Sequence, residues 1–124
     1  MPSFYAIVMV FIGGGIGCVL RYGVSLLFIN ATFPKGTLIA NMISSILLGF
    51  LMGVFIKDLI NSDQKLLLMT GLCGGFSTFS TFSLEMVQLY QEGSVILAIS
   101  YGIMSIILGI VSIVAGMLFS QLVS

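Results

Sequence analysis

Residues 36–56 contain no charged side chain, and Lys35 and Lys57 stand at the two ends of that stretch. A transmembrane helix needs about 20 predominantly apolar residues, so the stretch is long enough to cross a bilayer. Only 6% of the 124 residues are charged, and 59% are hydrophobic. Because soluble domains use about 25% charged residues to cover their surface, this chain has too few to face water. The sequence therefore predicts a membrane protein with lipid as its solvent.

Four segments of this kind are expected to cross the membrane. They cover residues 4–27, 36–56, 66–90 and 94–119. The connections are short, and Pro34 and Gly93 stand where helices should end. We therefore expect a single all-α transmembrane domain of four helices over residues 1–124.

The composition also excludes several kinds of function. The absence of histidine removes Ser-His-Asp catalysis and most zinc sites. The formal net charge is zero, whereas a nucleic-acid partner requires a basic surface. The run GGGIG at residues 13–17 lacks the lysine and hydroxyl residue of a nucleotide-binding loop. We expect neither an enzyme nor a protein that binds nucleotides or nucleic acids.

Small residues recur four positions apart in three of the four segments. The pairs are Gly13 with Gly17, Gly49 with Gly53, Ser105 with Gly109, and Ser112 with Gly116. Such spacing forms a flat stripe on one helix face, where another backbone can approach closely. We expect tight helix–helix packing, with some stripes at an interface between subunits.

Basic residues are divided evenly between the two sides of the membrane. Lys57 and Lys65 fall on the side of both termini, and Arg21 and Lys35 on the other. Orientation follows the excess of basic residues in cytoplasmic loops, so two against two gives no preference. Two interpretations remain. Either another feature sets one orientation, or the chain inserts both ways up, which would allow an antiparallel dimer.

The third segment contains the sequence GGFSTFSTFS at residues 74–83. Its glycines are weak helix formers, and its hydroxyls compete for backbone hydrogen bonds. These residues predict a helix broken at mid-membrane depth. Freed backbone groups are tolerated there only where buried protein or a watery cavity satisfies them. The break is therefore a candidate ion site.

Beyond the predicted break, Phe79 and Phe82 are three residues apart and share a helix face. Hydroxyls at the same spacing form adjacent columns, one of Ser77, Ser80 and Ser83 and one of Thr78 and Thr81. The edge of a phenyl ring is positive, so ring edges and hydroxyl donors together suit a small dehydrated anion. The alternative is that the rings only pack and the hydroxyls bond back to their own helix.

Further polar residues extend this pattern to the other helices. Asn41 lies inside the second segment, where an unpaired amide is costly, and is either a donor to the anion or a link between helices. Thr37 lies one turn earlier, and Ser105 and Tyr101 supply hydroxyls on the fourth segment.

Two charged residues have open interpretations. Arg21 either extends to the membrane interface or forms a positive vestibule that concentrates anions. Glu85 stays in water, pairs with a base, or accepts hydrogen bonds at a pore mouth.

The stretches GGGIGCVLRY, GTLIAN and GLCGGFSTFSTFSLE closely resemble the Fluc (CrcB) family of microbial fluoride channels, and the match covers all four spans. The resemblance implies a multi-pass protein of the bacterial plasma membrane that exports fluoride passively and protects the cell from fluoride toxicity. It also implies an antiparallel, dual-topology homodimer with two pores.

The resemblance further implies a role for individual residues. Phe79 and Phe82 would contact fluoride by their ring edges, and Asn41 would be the pore amide. A row of polar side chains along the pore would include Thr37, Ser80 and Thr81. Arg21 would be the arginine that the family has in its first span. A structural sodium ion at the dimer centre would be held by the main-chain oxygens of Gly74 and Ser77.

Two other functions remain open. A small proton-coupled drug exporter would share the length and the four spans, but this chain has no acid before Asp58 and no tryptophan. A membrane assembly subunit without transport activity would explain the glycine stripes but not Asn41 beside the phenyl and hydroxyl face.

Overall fold

The computed structural model describes residues 3–123, and four long helices make up most of this part of the chain. They run over Phe4–Leu27, Lys35–Ile56, Ser62–Gln91 and Val95–Ser120. Each is long and apolar enough to cross a membrane, so the predicted all-α fold with four spanning helices is confirmed. We refer to them as the first to fourth helices.

Local sequence sets two of the helix ends. The third helix begins earlier than predicted because Asn61 and Gln64 form a capping box, with both reciprocal hydrogen bonds at 2.9 Å. It ends at Gln91, and Gly93, just beyond the C-cap Glu92, adopts a φ of 81°. There the Gly93 N–H donates to the Tyr90 carbonyl at 3.0 Å and the Ser94 N–H to the Leu89 carbonyl at 2.9 Å. This pattern is a Schellman motif, and it confirms the predicted stop.

The third helix is broken, as predicted. After one α-helical turn it widens into a π-helix over Leu66–Cys73 and closes with a short turn at Gly74–Phe76. Ser77 and Thr78 are then extended, with ψ angles of 158° and 123°. An α-helix resumes over Phe79–Gln91. We call Ser62–Phe76 and Phe79–Gln91 the first and second halves of the third helix.

The break corrects one part of the predicted hydroxyl pattern. Ser77 lies in the extended stretch, whereas Ser80 and Ser83 lie on the second half of the third helix. The expected column of three serines is therefore wrong, because a helical period cannot continue through extended residues. Thr78 caps the second half instead, since its Oγ1 accepts a hydrogen bond from the Thr81 N–H at 3.2 Å.

Glycines let the helix backbones touch. A Cβ atom at Gly13 or Gly17 would overlap backbone of the π-helix, and one at Gly49 or Gly116 would overlap backbone across the pair of second and fourth helices. The predicted close packing is thus confirmed within the subunit. Gly109 differs, because a Cβ atom there would meet nothing within 4 Å.

The two halves of the third helix, on either side of the break, pack on different neighbours. Its first half packs on the first helix, whereas its second half packs mainly on the fourth. The second helix packs extensively on the fourth, as the first half of the third helix does on the first. Consequently the extended residues lie where all of these elements approach one another.

Candidate functional site

Asn41 joins the second helix to the break. Its Nδ2 donates to the Thr78 carbonyl at 3.1 Å, and its Oδ1 accepts from the Thr78 N–H at 2.7 Å. In a continuous helix that N–H would donate to the Gly74 carbonyl. The amide therefore links two helices and replaces a lost helical bond. A primary amide has two N–H groups, so one Nδ2 proton remains for another acceptor.

Ser44 and Thr37 extend this contact to both sides of the break. Ser44 Oγ donates to the Cys73 carbonyl at 2.8 Å, before the break. Thr37 Oγ1 donates to Glu85 Oε1 at 2.6 Å, after it. Ser44 was not predicted from the sequence, although its spacing of three residues from Asn41 places it on the same helix face. One polar stripe of the second helix thus holds both halves of the third.

Arg21 binds at the end of the first half of the third helix. Its Nε donates to the Gly75 carbonyl at 3.2 Å, and one terminal nitrogen lies 3.8 Å from Cys18 Sγ. Carbonyls at a helix C-terminus carry partial negative charge, so a guanidinium is stabilised there. The side chain is half-buried and reaches the break.

Glu85 accepts hydrogen bonds from two hydroxyls. Thr37 Oγ1 donates to Oε1, and Tyr101 Oη donates to Oε2 at 2.8 Å. Tyr101 is fully buried. The sequence pattern placed Tyr101 near the site but gave no sign of its bond to Glu85, which lies 16 residues away in the chain.

Four aromatic rings form a row beside these polar groups. Phe33 lies edge-on to Tyr101 with ring centroids 5.3 Å apart, and Tyr101 lies 5.1 Å from Phe82. Phe82 in turn lies 5.9 Å from Phe79, so the expected shared face is present. Phe79 ends the row and is 79% exposed.

Three neighbouring cavities follow the polar groups. The outer cavity is lined by Lys35, Thr37, Glu85 and other residues, and the middle cavity by Arg21, Thr37, Thr78 and Thr81 among others. The third, which we call the phenyl groove, has a volume of about 290 Å³. It is lined by Asn41, Ser45, Ser77, Thr78, Phe79, Phe82, Ser105, Ile106 and Gly109. Thr37 borders the first two cavities and Thr78 borders the second and third, so the cavities adjoin.

Hydrogen bonds decide which hydroxyls can serve an anion, because each hydroxyl has one proton to donate. Thr37 and Tyr101 donate to Glu85, as described. Ser77 and Ser83 donate to carbonyls of their own segment, both at 2.9 Å. For these two serines the alternative raised from the sequence, bonding back to the backbone, is the observed one.

Other hydroxyls keep their protons. Ser105 Oγ is buried and has no hydrogen-bond partner within residues 3–123. Thr81 Oγ1 accepts from Thr78 Oγ1 at 3.1 Å and so retains its own proton. Ser80 does not keep its proton: its hydroxyl oxygen lies 3.4 Å from that of Thr78, and because Thr78 donates to Thr81, Ser80 is the donor of this pair. Of the two residues whose hydroxyls keep their protons, Thr81 lines the middle cavity and Ser105 lines the phenyl groove.

The break also suits a cation bound by main-chain oxygens. Because the Thr78 N–H turns to Asn41, the Gly74 carbonyl loses its helical donor. Gly74 is exposed, and a Cβ atom there would meet nothing within 4 Å. Carbonyl oxygens suit hard cations. No group of three or more His, Cys, Asp or Glu side chains in the described part of the chain could hold a metal ion.

Comparison with known proteins decides the family. Residues 8–117 match the family described as CrcB-like protein, Camphor Resistance (CrcB). The chain belongs to the CrcB family. The resemblance noted from its motifs is thereby confirmed.

Similar proteins from distant organisms share one name. A protein of Azobacteroides pseudotrichonymphae named Fluoride-specific ion channel FluC is 40% identical over 119 residues, which cover 93% of this chain and 95% of the relative. A protein of Pyrococcus furiosus with that name is 45% identical over 95 residues, which cover 75% and 77%. One of Serratia proteamaculans is 44% identical over 91 residues, which cover 71% and 72%.

These names describe a family of ion channels rather than of enzymes or drug exporters. Together with four spanning helices, membership of the CrcB family makes the chain a multi-pass protein of the cell membrane.

Proposed function

We propose that this CrcB protein is a passive fluoride channel that lets the ion leave the cell. The observation that carries the proposal is the phenyl groove, where two phenyl rings, an amide proton of Asn41 and the uncommitted hydroxyl of Ser105 converge beside the break. The names of the relatives agree with it. Release of fluoride would protect the cell from its toxicity.

The chemistry of the phenyl groove favours a small anion. Fluoride must exchange its water shell for other donors, and the positive ring edges of Phe79 and Phe82 add to the amide and hydroxyl protons. None of the side chains that line the groove is charged. An anion would therefore be stabilised without being trapped by a full positive charge. A larger anion such as chloride forms weaker hydrogen bonds with such donors and should be rejected.

The middle cavity supplies the attraction that brings an anion to the groove. The guanidinium of Arg21 borders this cavity, as does Thr81 near the N-terminus of the second half of the third helix. Helix N-termini carry partial positive charge, which adds to that of the guanidinium. We infer a path from the outer cavity past Thr37, through the middle cavity with Thr81, and past Thr78 into the groove, with the exposed Ser80 beside Thr78.

A second copy of the chain would complete the path. The phenyl groove is open on one side, and Phe79 at its rim is 79% exposed. Lipid cannot satisfy the amide and hydroxyls that line it at mid-membrane depth. A two-fold dimer would cover both grooves and create two pores. The even division of basic residues imposes no single orientation, and insertion both ways up would make this dimer antiparallel.

A sodium ion would belong to the same interface. The main-chain oxygens of Gly74 and Ser77 would hold it on the exposed side of the break, where a Cβ atom on Gly74 would meet nothing within 4 Å. Such an ion would supply positive charge that stabilises the carbonyl dipoles of two subunits.

Reconstitution in liposomes tests the proposed function. The purified protein is placed in vesicles loaded with fluoride and chloride, and both ions are followed outside with ion-selective electrodes. We expect rapid loss of fluoride with little loss of chloride, relative to vesicles without protein. Equal loss of both ions would reject selectivity, and no loss of either would reject the channel.

A further inference from the structure

The second and fourth helices end beside each other. Lys57 follows the last residue of the second helix, and its Nζ donates to the Ser120 carbonyl at 2.9 Å and to the Val123 carbonyl at 2.8 Å, at the end of the fourth helix. We call these two bonds the lysine clasp. Carbonyls at a helix C-terminus carry partial negative charge, so one ammonium compensates the ends of two parallel helices.

Next to the clasp, small residues bring the two backbones into contact. A Cβ atom at Gly53 would overlap Ser120 Oγ and lie 2.7 Å from Ser120 Cβ. Farther along, a Cβ atom at Gly49 or Gly116 would overlap the backbone of the facing helix. No compressible side chain separates the helices there, and close-packed interiors transmit strain. The contact at Gly49 and Gly116 can therefore act as a pivot between the two helices.

The phenyl groove lies on the other side of this pivot. Asn41 on the second helix and Ser105 on the fourth both line it. Lys57 and Asn41 each lie eight residues from Gly49, which is about 12 Å at the helical rise of about 1.5 Å per residue. If the helix ends separate at the clasp, the helices should therefore approach each other at the groove by a similar amount.

Two residues that the fourth helix contributes to the groove give its walls little support. A Cβ atom at Gly109 would meet nothing within 4 Å, and the Ser105 hydroxyl has no hydrogen-bond partner within residues 3–123. Walls without support move together where packing permits. Contacts outside the groove consequently help to hold this part of the fourth helix in place, and the lysine clasp is one of them.

We propose that Lys57 is a positioning residue for transport, because the lysine clasp holds the two helix ends together and so keeps the phenyl groove open beyond the pivot. This inference rests on the proposed function, since it gives the same groove a contact that sets its width. Loss of the clasp lets the ends separate and narrows the groove, which obstructs the anion.

Removal of the ammonium tests the clasp. Lys57→Met keeps most of the side-chain length but cannot donate to the carbonyls. Amide hydrogen exchange is measured at Leu122 and Val123, whose N–H groups bond to carbonyls of the last helical turn, and fluoride efflux is measured from liposomes. We expect exchange to rise and efflux to fall by about 10-fold each, the effect of losing a hydrogen bond from a charged group. Lys57→Arg should restore both, because a guanidinium can donate to two carbonyls.

Lys65→Met is the matched control. Lys65 lies on the same side of the membrane as Lys57, and its Nζ lies over the Phe55 ring, 4.3 Å from the ring centroid. Both variants change the balance of basic residues equally, so an effect on insertion would appear in both. Equal changes in the two variants would overturn the proposal, as would unchanged exchange or wild-type efflux in Lys57→Met.

A further substitution distinguishes a narrowed groove from a destabilised protein. Ile106 lines the groove, and Ile106→Ala should recover most of the efflux that Lys57→Met loses, because a smaller side chain widens the path again. A protein that had only lost stability would gain nothing from the removal of more atoms. Failure to recover efflux would overturn the positioning role.

A change of size at the clasp replaces Lys57→Met if that variant does not fold. Gly53→Ala forces the helix ends apart without altering charge and should reduce efflux, whereas adding Ser120→Gly removes the overlap and should restore it. Wild-type efflux in Gly53→Ala, or the same reduced efflux in both variants, would contradict the proposal. A wild-type protein without fluoride flux would overturn the proposed function, while hydrogen exchange would still report whether the clasp exists.

Discussion

The two halves of the third helix are held in place by different kinds of interaction. The first half, Ser62–Phe76, lies backbone to backbone against the glycines of the first helix. The second half, Phe79–Gln91, has few such contacts and is held by hydroxyls, a carboxylate and aromatic rings. The first half is a scaffold defined by shape. The second half carries the groups that can bind an ion.

This difference predicts two kinds of sensitivity to mutation. Atoms added where glycines bring the first half against the first helix should disrupt it, because there is no space for them there. Around the second half, changes that preserve volume but alter donors should change transport while the fold survives. The variants below test that division, from the largest expected effect to the smallest.

Gly17→Ala should destabilise the first half. The added Cβ would overlap the Leu72 carbonyl and lie 2.7 Å from the Phe76 nitrogen. We expect a loss of about 3 kcal/mol in unfolding free energy, typical of overpacking against rigid backbone. Thermal or denaturant unfolding in detergent measures it. Gly15→Ala is the control within the same glycine run, since a Cβ there meets nothing within 4 Å. Equal stability of the two variants would contradict the packing role.

Asn41→Asp should keep the break but impair transport. The new oxygen can still accept from the Thr78 N–H, whereas the donor to the Thr78 carbonyl is lost and a negative charge enters the groove. We expect fluoride efflux from liposomes to fall by about 100-fold, the effect of roughly 3 kcal/mol on the path.

Ser44→Ala is the comparison for Asn41. It removes a bond to the Cys73 carbonyl, which should cost about 1 kcal/mol of stability, but it removes no groove donor. If Ser44→Ala reduced efflux as strongly as Asn41→Asp, the amide would act only as a link between helices.

Phe79→Leu should reduce fluoride efflux by about 10-fold, because an aliphatic side chain has no positive ring edge. Phe119→Leu provides the control, since Phe119 pairs with Phe50 with ring centroids 6.0 Å apart and lines none of the three cavities. Efflux is again followed with a fluoride electrode. Wild-type flux in Phe79→Leu would remove this ring from the pathway.

Ser105→Ala should have the smallest effect on efflux of these variants. It should also separate transport most clearly from stability. Its hydroxyl has no partner in the described part of the chain, so its loss should change unfolding free energy by less than about 0.5 kcal/mol. Efflux should nevertheless fall about 3-fold through the lost donor. Ser83→Ala, which removes a hydroxyl bonded to its own helix, should leave efflux higher than Ser105→Ala does. The reverse order would show that Ser105 does not face the ion.

Much of this arrangement could be predicted from the sequence because it depends on neighbouring residues. The four spans follow from uncharged stretches, the break from glycines and hydroxyls, and the shared face of Phe79 and Phe82 from a spacing of three. The predicted serine column was wrong because it relied on neighbouring residues alone. It assumed that the helical period continued past Ser77, while the position of the extended residues depends on contacts with other helices.

The sequence by itself determined that the chain lies in a membrane, that its third helix is interrupted, and that polar groups cluster there. Only the tertiary structure decided how those groups pair. Asn41 meets Thr78 across 37 residues of chain and Thr37 meets Glu85 across 48, and neither separation has a local signal. These pairings exist because glycine contacts fix which helix faces meet. A hydroxyl then donates its single proton to whichever acceptor that packing brings within reach.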